Sequence, residues 1–189
     1  RLPMISEAER VVETADLSLN SEIETIKALN KAARKHHTVH KIILMFDLGD
    51  LREGVFYRDD YSGLIREILA LENIELTGIG ANLTCYGGVI PDQDNLNELI
   101  AIKNKIETGF GIKLRIISGG NSSSLYLLKK NQIPEGINNL RIGEALFLGR
   151  ETVFGKRFAG LHEDAFILKA ELIEVKEKPS YPIGSIFMD

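Results

Sequence analysis

Lys41-Ile42-Ile43-Leu44-Met45-Phe46-Asp47, followed at once by Leu48-Gly49-Asp50-Leu51-Arg52-Glu53-Gly54, decides the fold class. An unbroken apolar run between a lysine and an aspartate, with no polar alternation, reads as a strand buried on both faces. Such strands belong to parallel sheets covered by helices. The flanking sequence repeats the theme. Upstream, Asp16 to Asn20 is a short extended segment, and a helix carrying Ile23, Ile26, Leu29 and Ala33 ends in basic residues, Arg34 to His37, that suit the negative pole of a helix dipole. Ser6 with Glu9 and Ser21 with Glu24 have capping-box spacing, so helices are predicted to start there.

Downstream the alternation continues through a helix around 60–72, a strand from Ile74 to about Asn82, a helix around 94–107, a strand from Lys113 to Ser118, a helix through Leu125 and Leu128, and an apolar strand from Leu140 to Leu148. Parallel strands need helical crossovers, so this order predicts a parallel β/α architecture with five strands and a leading stub, Arg1-Leu2-Pro3. The character changes after Gly149. Ala165 to Lys176 alternates without a helical partner and is predicted to open a separate β domain, so that 1–150 forms one domain and 151–189 a linker with the first strand of another.

A net charge of −4 and scattered lysines and arginines exclude a nucleic-acid-binding surface. No apolar run reaches the roughly 18 residues of a membrane helix, and the single cysteine, Cys85, has no internal disulfide partner. The chain therefore reads as cytoplasmic. Its ends, Arg1-Leu2-Pro3 and Phe187-Met188-Asp189, read as cuts through a longer polypeptide.

Polar, glycine-rich residues follow each strand, on the rim where parallel β/α folds build their sites. Ser118-Gly119-Gly120-Asn121-Ser122-Ser123-Ser124 reads either as a phosphate cradle at a helix start or as an ordinary glycine turn with a serine cap. Gly143-Glu144 at the next strand end could add amides. Arg141, inside an apolar strand, needs a partner or a place at the rim, with Glu144 a candidate for a structural ion pair. Arg52 could be a surface residue or be held by Asp47 and Asp50. His36, His37 and His40 superficially suggest a metal cluster, but a cationic helix end explains them and no carboxylate or cysteine lies at ligand spacing, so no metal site is expected. Cys85 reads as a packed small residue, and the glycosylation sequons at Asn82 and Asn121 as accidental.

In this order, Arg1-Leu2-Pro3-Met4, Ser18-Leu19-Asn20-Ser21-Glu22, Asp47 to Gly54, Gly78-Ile79-Gly80-Ala81-Asn82-Leu83, Ser118 to Ser122 and Asn139-Leu140-Arg141-Ile142-Gly143-Glu144-Ala145 resemble the fold-type III pyridoxal-phosphate (PLP) enzymes. The nearest likeness is to the alanine racemase family, in its ornithine-racemase-like branch. The resemblance implies an incomplete (β/α)₈ TIM barrel comprising strands four to eight and the end of strand three, roughly 150 residues of a typical barrel of about 250, followed by the start of a C-terminal β domain. It implies PLP as cofactor, with Ser122 and the amides near Gly143 and Glu144 on the phosphate, Arg141 facing the pyridine nitrogen, Arg52 near the phenolic oxygen and the substrate carboxylate, and Asn82 and Asn121 beside the cofactor. Two positions depart from alanine racemase: Met45 stands where many members carry a carbamylated lysine, and Asn82 where they have a histidine.

The implied activity is racemisation of ornithine, another basic amino acid or alanine, by removal and return of the α-proton on the aldimine. No catalytic residue is expected in the chain: the Schiff-base lysine belongs at the end of the barrel's first strand, and the second base is a tyrosine from a partner subunit, which makes a homodimer the expected state. Other fold-type III activities, a decarboxylase or a D-amino-acid aldolase, remain alternatives. So do a PLP-binding homeostasis protein and a non-catalytic remnant.

Overall fold

The computed structural model describes residues 2–84 and 86–185. A 3₁₀ turn (Ile5–Glu7) leads into α1 (Ala8–Thr14), β1 (Leu17–Asn20), α2 (Ile23–Lys35), β2 (His40–Asp47), the short β3 (Val55–Phe56), α3 (Ser62–Leu69), β4 (Ile74–Ala81), α4 (Gln93–Phe110) and β5 (Ile116–Asn121). A second 3₁₀ turn (Ser122–Ser124) precedes α5 (Leu125–Lys129), β6 (Asn139–Arg141) and α6 (Glu144–Leu148). The main strands pair in parallel in the order β1-β2-β4-β5-β6, while β3 pairs with the end of β2. Within the described chain β1 and β6 each have one neighbour, so the sheet is an open part of a β/α barrel.

β2 lies inside the sheet, between β1 and β4, and its residues are apolar on both faces. Ile42, Leu44 and Phe46 join Ile26 and Leu29 of α2 and Ile65 and Ile68 of α3 in the main core, and the Phe46 ring meets Tyr61 edge-on at 5.1 Å. On the opposite face Ile43 and Met45 lie beside Gly80 of β4 and Ser118 of β5. Both layers are dry: Ile42, Leu44, Met45 and Phe46 have no exposed surface. Gly78 lets β5 come close, since a Cβ there would stand 2.0 Å from the Ile116 carbonyl oxygen.

Several local expectations change. Ser6 is already inside the first turn, and the Met4 amide donates to the Glu7 carboxylate at 3.0 Å. The cap of α2 is Glu22, one residue past Ser21, so the Ser21–Glu24 box does not form. The strand expected at Lys113–Ser118 is displaced to Ile116–Asn121, which makes Gly119 and Gly120 part of the strand; a Cβ on Gly119 would lie 2.6 Å from Ile137 Cγ2, so close packing selects that glycine. The apolar run 140–148 divides: β6 ends at Arg141, Gly143 breaks the extended path, and Glu144–Leu148 is a helix closed by Gly149 in the left-handed region at φ 70°. Its outer residues Leu146, Phe147 and Leu148 are exposed. Leu2 and Pro3 form no strand, and residues 165–176 form no helix or strand within this chain, with Leu168 and Ile173 exposed. Cys85 lies outside the described residues.

The three histidines diverge. His36 approaches Glu9 and Glu13 of α1 at 3.5 Å each, so tertiary packing supplies the carboxylates that local spacing lacked, although Lys35 also pairs with Glu9 on this exposed surface. His37 turns the chain at φ 53°. His40 is buried, its Nε2 2.8 Å from Ser18 Oγ, and burial holds its pKa below the usual 6.5. The unfolded chain therefore takes up a proton below its own histidine pKa that the folded chain refuses until lower pH. Stability is expected to fall as pH drops through that window. Urea midpoints measured across it should fall more steeply for the wild type than for His40→Gln, and equal slopes would remove His40 as the cause.

Candidate functional site

The strand ends carry the polar groups, as the barrel geometry requires, and each loop is pinned by its own backbone contacts. Asp47, closing β2, accepts the amides of Gly49 and Leu51 through Oδ1. Asp50 is buried and accepts three more amides, from Thr84, Tyr86 and Val89, which ties the loop after β2 to the loop after β4. The two aspartates thus organise backbone. Arg52 is held instead by Glu53, its Nε 2.7 Å from Oε2.

After β5 the three consecutive serines separate in role. Ser123 and Ser124 donate their hydroxyls to the carbonyls of Leu83 and Gly119. Ser122 differs: its Oγ accepts the amides of Gly143 and Ala145, at 3.3 and 3.1 Å, bringing the loop after β6 onto the end of β5. With two N–H groups pointing at its oxygen, the hydroxyl keeps its own hydrogen to donate. Arg141 crosses the sheet from β6. Its Nη1 donates to Ser118 Oγ at 2.6 Å and its Nη2 to the Ala81 carbonyl at 2.9 Å, so one guanidinium fork bridges three strands.

Arg52, Asn82, Asn121, Ser122, Arg141, Gly143 and Glu144, the residues singled out from the sequence, all line one cavity of about 650 Å³. That size lies within the range of small-molecule and cofactor sites. Leu2, Leu19, Glu53, Thr84 and Thr152 complete the lining and were not anticipated. Glu53 had one available signal, its place between Arg52 and Gly54 in the loop already read; Thr152 had none. A second depression of similar size, between α3 and α4 around Arg58, Arg66 and Glu98, lies away from the strand ends and gathers none of these groups.

The cavity also has features that fit a phosphorylated ligand. Thr152 Oγ1 is buried with no hydrogen-bond partner among the described residues. A Cβ on Gly143 would meet nothing within 4 Å, so the backbone there faces open space. A hydroxyl with a spare hydrogen, an orphaned hydroxyl and two arginines match an anionic ligand better than an apolar one.

An open parallel β/α sheet with a polar cavity across its strand ends defines a domain of the β/α-barrel class. The family model "Alanine racemase, N-terminal domain" matches residues 3–151, and the chain belongs to that family. Over all 189 residues it is 56% identical to the ornithine racemase of Acetoanaerobium sticklandii, covering 54% of that protein, and 42% identical to the lysine racemase of Thermotoga maritima, covering 52%. It thus spans about half the length of these curated relatives. Among solved structures, the alanine racemase of Clostridium difficile 630 superposes with a TM-score of 0.63 at 16% identity, over 89% of this chain and 42% of that one. PipY of Synechococcus elongatus PCC7942, solved with PLP bound, gives 0.63 at 18% identity over 77% and 66%. These structures support the fold.

Proposed function

We propose that the polypeptide carrying this chain is a PLP-dependent racemase of basic amino acids, with ornithine the first substrate. The observation that carries this reading is the cavity itself. The residues that the family resemblance assigns to PLP come from the ends of β2, β4, β5 and β6, yet they line one space of suitable size. The two curated relatives, racemases of ornithine and of lysine, support the substrate class.

PLP, when bound, supplies the electron-withdrawing system that makes an amino acid's α-proton removable. The chain's own residues supply the setting. Ser122 and Thr152 would donate hydroxyls, and Glu144 its backbone amide, to the phosphate, with Gly143 leaving room for it beside the Ser122 hydroxyl that its own amide holds. Arg141 is always charged and presents no acceptor, so beside the cofactor's ring nitrogen it would disfavour a proton there, an environment suited to return of the proton to Cα. Arg52 supplies the cation for the phenolic oxygen and the substrate carboxylate.

Among the described residues no lysine lines the cavity. In this reading the lysine and tyrosine bases come from segments outside these residues, the tyrosine from a second subunit, with the exposed apolar alternation at 165–176 entering the β domain. The test uses the polypeptide that carries this chain, incubated with L-ornithine, L-lysine and L-alanine, and followed by chiral chromatography and by the absorbance of bound PLP. D-Ornithine should accumulate to an equal mixture, faster than D-alanine. Release of carbon dioxide or an aldehyde, or no PLP binding, would sink the reading.

A further inference from the structure

Glu53 stands apart from the other unanticipated lining residues because both oxygens of its carboxylate are engaged by side chains of the cavity. Oε2 lies 2.7 Å from Arg52 Nε, and Oε1 accepts the Asn82 Nδ2 amide at 2.8 Å. Asn82 Oδ1 in turn accepts from Asn121 Nδ2, and Asn121 Oδ1 accepts the Ser123 amide at 2.7 Å. The chain of contacts runs across the ends of β2, β4 and β5.

Its direction is set from both ends. A carboxylate only accepts, so it meets the NH₂ of Asn82; at the far end the Ser123 amide and the Leu83 carbonyl, which Asn121 Nδ2 reaches at 3.1 Å, fix the Asn121 side chain with its NH₂ toward the oxygen of Asn82. The backbone beneath is held as well. Gly54, at φ 120°, passes so close to β2 that a Cβ would stand 2.5 Å from the Asp47 nitrogen, and β3 then pairs with Phe46 and Asp47. Arg52 and Glu53 lie in a bent stretch of the loop, where their neighbouring side chains converge. Glu53 is also the better shielded of the pair, at 19% side-chain exposure against 41% for Arg52.

We propose that Glu53 is a positioning residue of this site: its single carboxylate, shared between the Arg52 guanidinium and the Asn82 amide, sets where the positive charge of Arg52 stands and holds the Asn82 side chain beside it. The consequence for catalysis rests on the PLP racemase reading. Arg52 is the group assigned there to the substrate α-carboxylate and the cofactor's phenolic oxygen, so Glu53 acts through it on every amino-acid substrate alike.

The test is Glu53→Gln in the polypeptide that carries this chain. Glutamine has one acceptor oxygen for two donors and puts its own NH₂ against the other, so it cannot reproduce both contacts. With wild-type holoprotein as reference, KM is expected to rise about tenfold for ornithine and for alanine alike, as for loss of one charge-assisted contact. The pH titration of the bound cofactor's visible absorbance should shift, while PLP affinity should change less than about threefold because the phosphate groups are untouched. The side-chain amide resonance of Asn82 should move in ¹⁵N-asparagine spectra, with or without PLP. A rise in KM confined to ornithine would overturn the proposal in favour of Glu53 reading the substrate's distal ammonium. An unmoved Asn82 resonance would overturn it outright. If the wild type binds no PLP, the racemase reading fails, and the amide spectra still decide the role of Glu53.

Discussion

Gly78→Ala is expected to prevent the sheet from assembling. In this structure the added methyl would lie 2.0 Å from the Ile116 carbonyl oxygen and 2.8 Å from its carbon, both backbone atoms that no rotamer change can move. Gly78 stands where the β2–β4 register shifts and where the pairing of β4 with β5 begins, so relief would require separating two central parallel strands. A cost above about 4 kcal/mol, the range of severe core lesions, removes most of the stability of a domain at the lower end of the ordinary range, about 5 kcal/mol. The expected observation is loss of soluble protein, or an unfolded far-ultraviolet circular dichroism spectrum. Gly63→Ala is the matched control: that glycine is in α3, a Cβ there meets nothing within 4 Å, and the substitution should stabilise by about 0.5–1 kcal/mol. Wild-type urea midpoints for Gly78→Ala would show that β4 and β5 do not approach so closely.

Arg141→Ala should produce the largest functional loss. The guanidinium donates at once to Ser118 Oγ and the Ala81 carbonyl, and Ser118 passes its own hydrogen to Asn139 Oδ1 at 2.7 Å, so the residue knits β4, β5 and β6 at the rim. Hydrogen bonds to a charged group contribute about 1.5–3 kcal/mol each, and truncation leaves the acceptors facing a void. With the proposed place of Arg141 at the cofactor ring, catalysis is expected to fall about a hundredfold or more and PLP affinity about tenfold. Arg141→Lys keeps the charge but lacks a fork that reaches both acceptors, so it should recover only part of either loss. Equilibrium dialysis with PLP and the rate of ornithine racemisation measure the two effects. Unchanged values in both variants would remove Arg141 from the site.

The parallel β/α plan was legible because β2 is apolar on both faces and because each neighbouring strand is separated from it by an amphipathic helix. Where the reading failed, the signal was ambiguous in kind. The run 140–148 is apolar enough for a buried strand or a helix, and the backbone at Gly143, φ −130° and ψ −75°, divides it. Gly119 and Gly120 look like a loop by composition, yet they are strand residues made small by Ile137 and by the Ser124 hydroxyl, which a Cβ on Gly120 would meet at 2.7 Å. The metal question turned on the same limitation, since Glu9 and Glu13 reach His36 only because α1 packs beside α2.

What the sequence by itself determined, then, is the alternation of strand and helix, the rim on which polar residues collect, and, through its ordered motifs, the family and the seven residues that share the cavity. Periodicity and motif are local properties, and each can be read along one stretch of chain. Only the tertiary structure decided that Ser122 differs from Ser123 and Ser124, that Asp47 and Asp50 serve the backbone while Glu53 serves Arg52, and that Thr152, with its buried hydroxyl, joins the lining of the same cavity. A hydrogen-bonding group's role depends on which donor or acceptor another strand brings within about 3 Å of it, a fact of register and crossing that no single segment encodes.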